Sequence, residues 1–108
     1  MTDAQLAKLE TFRQMVARNP DNALARFGLA NEAMKAGAWQ EALDNLDAYL
    51  ARHDDEGNAW GRKAECLVQL GREADAAAAL RTGIAASYRF GHPSMAAEFE
   101  ERLEELGG

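Results

Sequence analysis

Histidine, cysteine and clustered glutamates are the side chains from which this chain of 108 residues would have to build any chemistry. A metal centre needs three or four donors converging at fixed spacing, and His53 and His92 have no second His or Cys near them. Both read as surface-loop residues. Cys66 is the sole cysteine, beside Leu67 and one helical turn from Arg62. A reactive thiol requires an open, electropositive setting, whereas a mid-helix cysteine serves as a small core residue. Glu98, Glu100, Glu101, Glu104 and Glu105 hold carboxylates enough for a divalent cation, but helical spacing spreads them around a solvated face. Attraction of a basic partner is the alternative use for that acid cluster. The chain also lacks a nucleophile elbow, a phosphate-cradling glycine loop and a paired metal-binding histidine motif. No catalysis, cofactor or metal is therefore expected.

What remains is a scaffold to be positioned by its elements. Hydrophobic residues make up 47% and charged residues 28%, a globular balance, and the length suits a single domain over 1–108. Alanine and leucine dominate the apolar set, which favours helix because they lose little side-chain freedom on entering one. The net charge of −6 repels phosphate backbones and anionic lipid heads, so neither nucleic acid nor a membrane surface is expected as a partner. One cysteine forms no internal disulfide, no apolar run reaches membrane-span length, and Met1, Thr2 and Asp3 open no secretory signal. A cytoplasmic location is the resulting expectation.

Helix punctuation divides the chain into six segments. Thr2 and Gln5 make a capping-box pattern, followed by an apolar stripe of Leu6, Leu9, Phe12, Met15 and Val16. Pro20 ends that helix near Arg18 or Asn19. Asp21 or Asn22 caps a second helix that runs to Gly37. The third is predicted over 39–52, the fourth over 55–70 with a stop at Gly71, and the fifth over 73–88. Pro93 suits a first helical residue, and the sixth helix carries Met95, Phe99, Leu103 and Leu106 on one stripe.

Shifting the chain by 34 residues aligns 21–54 with 55–88, and the identities fall at Asp21/Asp55, Ala25/Ala59, Ala30/Ala64, Gly37/Gly71, Ala42/Ala76, Leu46/Leu80 and Ala51/Ala85. These are places where two packed helices need a small residue, a turn glycine or a core leucine. Small residues let helix axes approach, and larger neighbours fill the grooves. Mid-helix Gly28, Gly61 and Gly83 fit the same reading of close approach; room for a ligand backbone near Gly28 and Gly61 is the alternative. The second unit reads Trp60, Ala64, Leu67, Gly71, Ala76, Leu80, and the first reads Leu29, Ala30, Gly37, Ala42, Leu46 with Trp39 after the turn. In these residues the chain resembles the tetratricopeptide repeat family. It departs from the family pattern at Arg26, where a tryptophan is preferred, at Lys63, where a leucine is, and at Asp54 and Tyr88 in place of a repeat-ending proline.

The resemblance implies an all-α, right-handed solenoid of antiparallel helix pairs: an N-terminal half repeat over 2–19, repeats over 21–54 and 55–88, and a capping helix over 92–106. It also implies that the first helix of each pair lines a concave groove that holds a segment of another protein. The matching positions are Leu24, Phe27, Asn31, Met34 and Lys35 in one helix and Asn58, Gly61, Arg62, Glu65 and Gln69 in the other. Leu24, Phe27 and Met34 suit an apolar anchor from a partner; alternatively the first helix folds over Leu24 and Phe27 and makes them core. Asn31 matches one position of the family's carboxylate clamp, but Phe27 stands where a clamp lysine would, so tail recognition is not expected. The functional expectation is a protein-interaction adaptor binding a peptide or helix. The alternative is homo-oligomerisation, as a weak homodimer through the same apolar groove or an end helix.

Overall fold

Thr2 and Gln5 make the reciprocal pair that their spacing predicts. In the computed structural model, which describes all residues 1–108, the Gln5 backbone N–H donates to Thr2 Oγ1 at 3.1 Å and the Thr2 N–H to Gln5 Oε1 at 2.8 Å. This opens α1 (Asp3–Arg18), which is followed by α2 (Ala23–Lys35), α3 (Trp39–Leu50), α4 (Asn58–Gln69), α5 (Glu73–Arg89) and α6 (Pro93–Glu105). The protein is all-α, of the helix-pair type predicted, and no helix is long and apolar enough to cross a membrane. Of the two candidate caps for α2, Asn22 performs the task, accepting from the Ala25 N–H at 3.2 Å.

One closure ends α2, α4 and α5. After α2, Gly37 adopts φ 74°, its N–H donates to Met34 O at 3.0 Å, and the Ala38 N–H reaches back to Ala33 O at 2.8 Å. Gly71 and Gly91 repeat this with φ 75° and 78°. The left-handed residue turns the chain sharply while satisfying carbonyls the helix end would orphan.

Helix α4 begins three residues later than its sequence suggests. Gly57 takes φ 138°, a conformation outside the helix, and Asp55 caps from beyond it: Oδ2 accepts from the N–H groups of Gly57 and Ala59, both at 2.8 Å. Helix α3 likewise stops at Leu50 rather than continuing to residue 52.

The chain forms two compact units, Met1–His53 with α1 to α3 and Asp54–Gly108 with α4 to α6. In the first, Leu9, Ala25, Leu29, Ala30, Ala33, Ala42, Leu43 and Leu46 are buried. Of the predicted α1 stripe, Leu9 and Val16 are buried and Phe12 is half-buried, while Leu6 and Met15 remain exposed. Phe12 settles against Gly28, where a β-carbon would lie 2.3 Å from Cε1 of the ring. Arg13 ties α1 to α3 with a two-pronged pair to Glu41, Nε to Oε2 at 2.8 Å and Nη2 to Oε1 at 2.7 Å. Those hydrogen bonds hold the Glu41 carboxyl below the usual carboxylate range.

Arg26, in the place of the expected tryptophan, is half-buried and satisfied by polar partners. Its Nε donates to Pro20 O at 2.9 Å and its Nη1 to Oδ1 of the buried Asn45 at 3.0 Å, while Asn45 Nδ2 donates to Glu41 O at 2.8 Å. A polar network thus replaces an aromatic plug, with every buried side-chain group partnered.

In the second unit Ala59, Ala64, Cys66, Leu67, Ala76, Leu80, Ala96 and Phe99 form the core. Cys66 is a buried packing residue there. The Phe99 ring lies over Gly61, with Cζ 2.6 Å from where a β-carbon would sit, and flanks Gly83. Lys63 carries its ammonium over the Trp60 ring, 5.5 Å from the centroid. At the two positions where a repeat-ending proline is missing, Asp54 pairs with Arg89 and the Tyr88 hydroxyl donates to Glu100 Oε1 at 2.6 Å. Each alternative polar contact stays within its unit.

Ala42 and Ala76 occupy equivalent places in α3 and α5 and are both fully buried. Enlarging either to leucine is expected to lower stability by about 1–3 kcal/mol through overpacking, read from the urea midpoint. A neutral result at both positions would contradict the helix-pair register.

Candidate functional site

Residues spaced three and four apart share one side of a helix, so the predicted α2 positions present a single face. Leu24, Phe27, Asn31, Met34 and Lys35 lie on the side of α2 opposite to the buried Ala25, Leu29 and Ala33. Leu24 is 83% exposed. Phe27, Asn31 and Met34 are half-buried and Lys35 is exposed, with its Nζ 3.5 Å from Oε1 of the buried Glu32. The Phe27 ring leans on Tyr49 of α3, centroids 5.1 Å apart at 53°, and Tyr49 in turn stacks on His53 at 4.9 Å. The first helix does not bury Leu24; its aromatic contact with α2 goes to Gly28 instead.

On α4 the predicted positions divide. Gly61 is buried beneath Phe99, so it is a packing residue and offers no room for a ligand backbone. Asn58 and Arg62 line a cleft of about 310 Å³ between α4 and α6, together with Ser94, Met95, Glu98 and Arg102. Arg62 Nη1 donates to the Asn58 carbonyl at 3.4 Å. Glu65 faces a second, smaller depression of about 120 Å³, beside Val68, Arg102 and Leu106. It accepts from Nε2 of the exposed Gln69 at 3.0 Å.

The residues that sequence reasoning missed are those of α6. Its glutamates suggest a solvating cap, and Glu98, Glu100, Glu101, Glu104 and Glu105 are all exposed. Glu98 also lines the cleft with Ser94 and Arg102, which recur every fourth residue beside the Met95 and Phe99 stripe. That polar line flanking an apolar one is the signal by which they could have been found. Arg102 donates through Nη2 to the Gly61 carbonyl at 3.1 Å and sits 5.6 Å over the Phe99 ring. His92 ends the preceding loop with Nε2 at 3.2 Å from Glu56 Oε2. No three His, Cys, Asp or Glu side chains are grouped to hold a metal ion.

These surfaces can exchange apolar contacts and charge-assisted hydrogen bonds with a partner. Among known families, the sequence profile of the tetratricopeptide repeat matches residues 9–43 and 27–89. No curated protein matches the chain.

Proposed function

We propose, because the chain belongs to the tetratricopeptide repeat family, that it is a non-catalytic adaptor holding a peptide or helical segment of another protein. Repeats of this family generally mediate protein–protein interaction, and the family is one of interaction scaffolds. The contact residues in this reading are Leu24, Phe27, Asn31, Met34 and Lys35 on α2 and Asn58, Arg62, Glu65 and Gln69 on α4.

The observation that carries the reading is Leu24. A large aliphatic side chain left 83% exposed on the same helix face as Phe27 and Met34 has no hydrogen bond to lose by being covered and gains the burial of its apolar area. An aromatic neighbour supplies the rigid, large-area contact typical of binding hot spots. Within the second unit, the polar residues of α4 would offer a partner hydrogen bonds.

The test compares the intact chain with a Phe27→Ala, Met34→Ala double variant in pull-downs from the native cell. Partners recovered only by the intact chain are then titrated against Phe27→Ala alone. The single substitution is expected to weaken binding by about 2 kcal/mol, with helicity by circular dichroism preserved. Unchanged affinity would remove α2 from the binding surface.

A further inference from the structure

We infer that the cleft between α4 and α6 receives a peptide segment through a side-chain carboxylate, and that Arg102 is the residue that takes it. The inference rests on the adaptor reading above and names the chemistry its partner must carry.

Arg102 is half-buried, and its contacts are one hydrogen bond from Nη2 to the Gly61 carbonyl and the face of Phe99. It pairs with no carboxylate, although the chain holds 18 acidic residues against 12 lysines and arginines. Arg13 shows what this sequence does with an arginine meant for internal structure: it meets both Glu10 and Glu41. A guanidinium has five N–H donors in a planar fork that matches a carboxylate with two parallel bonds. With Phe99 beneath it, such a pair gains more than one formed in open water.

The surroundings describe the rest of the segment. Half-buried Met95 offers an apolar seat in the cleft, so an apolar residue next to the acid is favoured. Glu98 lines the same cleft and would repel a second carboxylate close by. Ser94, Glu98 and Arg102 mark out a strip of about 12 Å along α6 at 1.5 Å per residue. Arg102 also borders the depression lined by Glu65, Glu105 and Leu106, so recessed surface continues beyond the cleft. A segment therefore runs past Arg102, which suits an internal Asp or Glu rather than a chain end.

A random peptide library displayed on phage and panned on the intact chain supplies the probes, which are then synthesised with amidated and with free carboxyl ends for fluorescence anisotropy. Enrichment of one Asp or Glu beside an apolar residue is expected. Arg102→Met should weaken those peptides at least about tenfold, and replacing the peptide acid by its amide should weaken them equally, with little further loss when both are combined. Arg102→Glu should regain affinity for a peptide whose acid is replaced by lysine. Circular dichroism checks that the variants stay helical. Should Arg102→Met unfold, Arg102→Lys decides, since it keeps the charge and loses the fork: a loss of about threefold or more is expected, and unchanged affinity overturns the inference. Peptides that respond to Phe27→Ala but not to Arg102→Met overturn it and leave the adaptor reading standing. Binding that requires a free carboxyl end and ignores the internal acid also overturns it. A library that yields no binder overturns both.

Discussion

Phe99→Ala is expected to destabilise the unit formed by α4, α5 and α6 by about 3–5 kcal/mol. The ring is 4% exposed and fills the space above Gly61 and beside Gly83, so three helices lose a common contact when it is removed. Two glycines line the place it vacates, and they have no side chains with which to fill it. Collapse would have to move helix backbone, and incomplete collapse puts the loss toward the upper part of the range for aromatic truncation. Urea unfolding followed by circular dichroism measures it as a shift of midpoint at constant slope. A loss below about 1 kcal/mol would mean that the ring is not the centre of this packing.

Gly28→Val should also destabilise, by about 1–3 kcal/mol, and for the opposite reason. Added atoms at Gly28 meet Phe12 Cε1 at 2.3 Å, so the ring must leave its place between α1 and α2. Valine is the better intrinsic helix former by only a few tenths of a kcal/mol, too little to offset the clash. The combination with Phe12→Ala identifies the cause, because removing the ring should make the valine nearly harmless. Losses that simply add in the double variant would place the damage elsewhere.

The parts of this fold that were readable in the sequence are those governed by neighbours along the chain. The Thr2–Gln5 box, the glycine closures at Gly37 and Gly71 and the proline start of α6 each depend on a few consecutive residues, and each forms where its pattern occurs. Asp55 misled because a carboxylate that caps from two residues outside a turn glycine looks, in sequence, like one at the helix start. Only the buried setting of Gly57, pressed toward Ser87 and Met95, fixes that geometry, and it comes from residues distant in sequence.

The candidate site divides in the same way. Helical periodicity alone puts Leu24, Phe27, Asn31 and Met34 on one face of α2. Periodicity cannot say what lies opposite a face, so it leaves Gly61 between close helix approach and a place in the groove, and Phe99 covering it settles the first. The same lack hid the role of α6. Its surplus of glutamates dominates the composition, whereas the cleft depends on which flank of its apolar stripe meets α4.

The contact between Arg26 and Asn45 bears on how α2 is set. An indole in that place would be held by shape and dispersion, which change little over a few degrees of roll about the helix axis. Hydrogen bonds are directional, and Arg26 spans two anchors at once, a backbone carbonyl before its helix and an amide on the next. The azimuth of α2 is thereby indexed like a gear tooth, and Arg26 sets the bearing of Leu24 and Phe27.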